Sequence, residues 1–221
     1  MTTQTKKLTT LAVLSAIAYL LMLLTHELNF IPSAPFLSLD MKDIVIVIAG
    51  FIFGPMSAFL MSLVVSLLEM ITVSSTGVIG FIMNVLATCA FVCPAAYIYK
   101  RKQTLTSAVV GLVIGCLLMT LIMLLWNYII TPLYQGVPRN VIAAMLLPVF
   151  LPFNLIKSGL NATVAMLLYK PLVNALRKAH LIPPSTGTQA ARSKMSVGIM
   201  IVAALILVTL VLIILAYKGV L

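Results

Sequence analysis

Residues Met195 to Tyr217 form an unbroken apolar run of 23 positions with no charge and no proline. A helix needs about 20 predominantly apolar residues to cross the hydrocarbon core of a bilayer, so this run alone points to a membrane. Comparable stretches occupy Leu8–Leu24, Ile44–Met70, Val78–Tyr99, Leu105–Ile130 and Val141–Tyr169. Of the 221 residues 62% are apolar, with fourteen basic and four acidic side chains, whereas a soluble domain is about half apolar and a quarter charged. The chain is therefore expected to be an all-α polytopic membrane protein. A transmembrane barrel needs strands that alternate apolar and polar residues, and these runs are continuous.

The first run follows Lys6 and Lys7 as a signal peptide would. It is longer than a signal core and no small-residue cleavage pattern follows, so it reads as a span. A loop from Thr25 to Asp43 holds Glu27, Asp40 and Asp43, three of the four acidic residues. Ile44–Met70 is too long for one untilted span and is interrupted by Gly54-Pro55, a turn or break signal. It divides into two helices, the first somewhat short. Val78–Tyr99 and Leu105–Ile130 are the next spans, followed by a turn-rich loop from Thr131 to Asn140. Pro148 and Pro152 fall inside the following run, and proline is tolerated best in a helix's first turn. A short segment over Val141–Leu147 is expected, with the sixth span at Pro152–Lys170 and Asn154 and Lys157 in its outer turns. Three units result: a six-helix membrane domain over 1–178, a polar linker over 179–194 and an additional C-terminal helix over 195–221.

A net charge of +10 could suggest nucleic acid, but a nucleic-acid reader gathers its cations on one soluble face. Here they lie between apolar runs. With the N-terminus inside, ten cations fall on the cytoplasmic side, among them Lys100, Arg101 and Lys102. Lys42, Arg139 and Lys218 fall outside, and Lys157 falls within the membrane. That asymmetry follows the positive-inside rule, placing the N-terminus in the cytoplasm and the C-terminus outside a multi-pass cell-membrane protein. Cys89, Cys93 and Cys116 lie in or beside apolar runs and read as packing residues, since no ligand partners stand at metal-binding spacing.

Ionisable residues within spans cost about 2.5 to 3.5 kcal/mol on insertion scales and are functional candidates. Lys157 and Asn154 are three apart and share a helical face. Snorkelling of Lys157 to the outer interface would run against the charge bias. Glu69, near the outer end of the third span, either reaches interfacial water or acts as a ligand or structural partner. Asn84 and Asn127 need hydrogen-bond partners in lipid, from another helix or from a polar cavity, and Asn161 could extend the Lys157 face. Trp126 beside Asn127 is either an interfacial aromatic or a stacking platform. His26 and His180 fall outside the spans. The chain has no phosphate-binding P-loop and no zinc-protease or nucleophile-elbow motif. Ala12 and Ala16 form a small-residue face that permits close helix packing.

Pro35-Phe36-Leu37-x-Leu39-Asp40-x-x-Asp43, Gly54-Pro55 and Pro148-x-x-x-Pro152-Phe153-Asn154-Leu155-Ile156-Lys157 together resemble the riboflavin-specific substrate-binding S component of energy-coupling factor transporters. The resemblance covers about residues 5 to 178. It implies a six-helix core that is no enzyme and needs no cofactor, and that captures riboflavin from outside for ATP-driven uptake. It also implies a membrane-embedded coupling subunit and two ATP-binding-cassette subunits as partners. Asn154, Lys157, Asn127, Asn84, Asp40, Glu69 and Trp126 are then the expected substrate-binding residues, and Ala12 and Ala16 the docking face for the coupling subunit. Loops at about 30–43, 70–78 and 131–140 would close over the ligand. The seventh helix departs from this six-helix pattern. S components for thiamine or biotin are the near alternative, and an ion-conducting or enzymatic membrane protein the distant one.

Overall fold

A computed structural model describes residues 3–26, 28–31, 34, 37–182 and 197–219. The helices are α1 (Thr3–Thr25), α2 (Lys42–Phe53), α3 (Pro55–Thr72), α4 (Gly77–Lys102), α5 (Leu105–Ile129), α6 (Thr131–Gln135), α7 (Arg139–Met145), α8 (Leu151–Lys178) and α9 (Val197–Tyr217). Six helical stretches among the described residues are long and apolar enough to cross a membrane. Part of the resemblance motif, Pro35-Phe36, lies outside the described residues, as does most of the expected linker over 179–194.

The short helix α2 organises the rest. Its twelve residues rise about 18 Å against a hydrocarbon core of about 30 Å, so it does not reach across. Ten of the twelve are buried, because α2 is apolar on every side and is packed by α1, α3, α4 and α8. Gly54 ends it at a φ of 97°, in the region where a side chain would be strained. A Cβ there would also stand 2.7 Å from Lys100 Nζ. Pro55 then opens α3 at a helical position that needs no N–H donor. The Gly54-Pro55 end of α2 is thereby fixed beside the cationic end of α4, and its other end, Lys42-Asp43, stops inside the bundle.

Contacts are most numerous between α4 and α5. They approach closely because Gly115 has no Cβ: one would sit 2.2 Å from the Phe91 carbonyl oxygen. Thr104 begins α5 with a reciprocal capping box to Ser107, which satisfies donors that a helix start leaves free. On α1 the buried stripe is Leu14, Ala18 and Met22, and Ala12 and Ala16 lie on the exposed face.

The expected break before the sixth span is overturned. Residues Arg139–Lys178 form one apolar helical stretch of 40 residues, with a π-helical turn at Leu146–Phe150 joining α7 to α8. Pro148 lies in that turn and Pro152 in the first turn of α8. A proline lacks a donor and crowds the carbonyl four residues back, and a locally widened turn absorbs both. Val141–Leu147 is consequently no separate segment. Asn154 and Lys157 lie well inside a long helix rather than in its outer turns, so they have no helix N-terminus beneath them.

Candidate functional site

Because α2 is short, the segment leading into it is enclosed by the bundle, with Leu39, Asp40, Lys42 and Asp43 all buried. Backbone without helical bonds is tolerated at membrane depth only where protein buries it or where it lines a cavity. Both occur here. A cavity of about 90 Å³ opens among the α1–α2 loop, the α3–α4 turn, α4, α5 and α8, and it is lined by Asp40, Glu69, Asn84, Asn127, Asn154 and Lys157 together with His26, Tyr134, serine and threonine side chains of the loops, and apolar side chains. The first six of these residues are separated by up to 117 positions in sequence, and the fold brings all of them to one site. Trp126 is the remaining candidate. It does not line the cavity but packs against the main core, with its Nε1 buried and without a partner.

A chain of alternating charges lies against the cavity. Glu69 Oε2 accepts from Lys42 Nζ at 2.6 Å, and Lys42 Nζ lies 3.5 Å from Asp40 Oδ2. Asp40 Oδ2 accepts from Lys157 Nζ at 2.6 Å. All four residues are buried, and the two cations balance the two anions. Asn84 donates to Glu69 Oε1 at 2.8 Å, and Asn161 donates to the Asp40 backbone carbonyl at 3.1 Å. Nearby, Thr88 donates to Asp43 Oδ1 at 2.7 Å. Lys157 and Lys42 both face the Asp40 carboxylate and compensate its buried charge.

Lys42 corrects the sequence reading. Counted as an outer loop cation, it is 1% exposed and paired on both sides. The local signal was Asp40-Met41-Lys42-Asp43 running directly into an apolar helix, charges with no hydrated stretch to separate them from the membrane. Glu69 does not snorkel, since both of its oxygens are satisfied inside the protein. Nor does Lys157.

The cavity retains unspent hydrogen-bonding capacity. Asp40 Oδ1 is buried with no partner. Lys157 carries three N–H donors and spends one on Asp40. Asn127 bonds the Met123 carbonyl and accepts from Thr131, and Asn154 bonds the Phe150 carbonyl. Each amide has a further donor or lone pair for a ligand. Among the described residues no group of histidine, cysteine and carboxylate side chains could hold a metal ion.

A family model described as "ECF transporter, substrate-specific component" matches residues 6–169. The chain is 34% identical to the riboflavin transporter RibU of Staphylococcus aureus (strain TCH60), over 79% of this chain and 94% of that one. It is 30% identical to the riboflavin transporter FmnP of Bacillus subtilis (strain 168), over 80% of this chain and 98% of the relative. A solved structure of the S component of a bacterial ECF transporter superposes with a TM-score of 0.66 at 34% identity, covering 78% of this chain and 98% of that one.

Proposed function

Because this chain belongs to the substrate-specific components of ECF transporters, we propose that it captures riboflavin in the cavity lined by Asp40, Lys157 and Asn154 and delivers it for ATP-driven uptake. The riboflavin transporters among its relatives support the choice of ligand. The single observation that carries the site is the mixed lining of charged, amide and apolar side chains. An isoalloxazine edge alternates carbonyl acceptors, ring nitrogens and one N–H, and it needs donors and acceptors side by side. Lys157, Asn127 and Asn154 supply N–H groups, and Asp40 Oδ1 supplies a buried acceptor that nothing in the protein uses. Asn84 and Glu69 complete the polar wall from the α3–α4 side. Trp126 would act from behind Asn127 rather than by stacking.

The energy for uptake comes from a coupling subunit and two ATP-binding-cassette subunits. The surface that would meet the coupling subunit is the exposed Ala12 and Ala16 face of α1, where small side chains let a partner helix approach closely. The N-terminus lies in the cytoplasm and the C-terminus outside. The cavity thus opens to the exterior, at the end of the bundle away from Lys100, Arg101 and Lys102.

Two carboxylates and one ammonium line the cavity, an arrangement that favours a neutral ligand over a phosphorylated one. Titration of the detergent-purified protein with riboflavin is expected to quench flavin fluorescence to saturation at one ligand per chain, with FMN competing at least tenfold less well. No quenching would refute the ligand. Equal competition by FMN would refute the neutral-ligand reading of the lining.

A further inference from the structure

The family match ends at residue 169, so α9 (Val197–Tyr217) lies beyond the part of the chain that the family describes. It is apolar on all sides, yet it does not stand alone in lipid. It packs along α8, where Leu210 Cδ1 would lie 3.5 Å from a Cβ on Gly159. Ala203, Leu207, Leu210 and Ile214 of α9 are withdrawn from the surface, with Leu215 beside them. The spacing of the first four, by four, three and four residues, defines one stripe facing a partner helix. Tyr217 continues that stripe by three.

The stripe leads to the binding site. Leu207, Leu210 and Ile214 join an apolar cluster built from the α1–α2 loop, the π-helical turn and α8. At its end Tyr217 meets Phe30 edge-on, with ring centroids 6.2 Å apart. Phe30 stacks on Phe153 at 5.5 Å, and Phe153 lines the cavity next to Asn154. Phe30 belongs to the same loop as Asp40, and that loop is pinned to itself by the Leu39 amide donating to the Leu28 carbonyl at 3.1 Å. An unbroken apolar line therefore runs from α9 through Tyr217 and Phe30 to the cavity wall.

We propose that α9 anchors the Phe30 part of the α1–α2 loop beside the cavity, with Tyr217 as the positioning residue, and so sets how long the ligand stays bound. The part of this inference that concerns ligand release rests on the riboflavin reading above; the anchoring itself does not. Tyr217 is 42% exposed at the end of α9, so Tyr217→Ala leaves the core intact.

Two readouts on the full chain test the proposal. The first needs no ligand: hydrogen exchange at the Leu39 amide should quicken about three- to tenfold in Tyr217→Ala, the range expected for one aromatic pair. It should stay at the wild-type rate in Tyr217→Phe, which keeps the ring. The second is riboflavin release after dilution, which should accelerate by a similar factor in Tyr217→Ala while association changes little. Unchanged exchange in Tyr217→Ala would overturn the anchor, whatever the ligand proves to be. Faster exchange with unchanged release would overturn its role in retention. Equal effects of the Ala and Phe variants would overturn the ring contact as the cause. Failure of the wild-type protein to bind riboflavin would count against the ligand reading alone, with the exchange result still deciding the anchor.

Discussion

The two ends of the helical bundle treat charge in opposite ways. At the cavity end, Asp40, Lys42, Glu69 and Lys157 are buried and joined in alternation. At the other end, Lys100, Arg101, Lys102, Lys170 and Lys178 are exposed, and none of the three ion pairs among the described residues lies there. The exposed cations remain hydrated, and those closing α4 also suit the partial negative charge of its C-terminus. The buried ones have given up water, and each depends on its neighbours for compensation. The same residue type thus stays in contact with water at one end and shapes a site at the other, and burial in the bundle decides which.

The sharpest way to break this contrast is to remove one member of the buried chain. Taking away a single partner of a buried pair leaves an uncompensated charge and costs about 3 to 5 kcal/mol. Lys42→Met is therefore expected to lower stability by that amount in detergent unfolding, since both Glu69 and Asp40 lose their common partner. Lys42→Met combined with Glu69→Gln removes one charge of each sign and should recover a substantial part of the loss. A double variant no more stable than Lys42→Met alone would show that the pairing is incidental. At the opposite end, Lys102→Gln is expected to stay within about 0.5 kcal/mol of wild type, with riboflavin quenching unchanged. A loss above 1 kcal/mol there would mean that the two ends are not different in kind.

The spans themselves were legible because apolar runs, Gly54-Pro55 and the Lys100–Lys102 cluster are local signals. The candidate site was legible in part for a related reason. In a chain this apolar, each polar residue within a run is conspicuous, and Asn84, Asn127, Asn154, Glu69 and Lys157 stood out without any knowledge of contacts. Asp40 came from a motif rather than from its position in a span. Lys42 was hidden because its burial depends on how far α2 reaches. That is set by the position of Gly54 beside Lys100, a fact of packing rather than of the residues around Lys42. The helical continuity through Pro148 was hidden as well, since a π-helical turn has no sequence marker comparable to the breaking signal of proline itself. The packing face of α9 could not be read at all, because a helix apolar on every side presents no pattern until its partner is known.

Lys157 is proposed to serve the ligand as well as the fold, and riboflavin titration of Lys157→Met against wild type tests this most directly. The substitution keeps the apolar stem and removes the donor. A hydrogen bond from a charged donor is worth about 1.5 to 3 kcal/mol, which corresponds to roughly 10- to 150-fold weaker binding at 1.4 kcal/mol per decade. A loss in that range, in a variant that remains folded, is the predicted result. Wild-type affinity in Lys157→Met would contradict the account, leaving the Asp40–Lys157 pair as scaffolding and placing the ligand elsewhere.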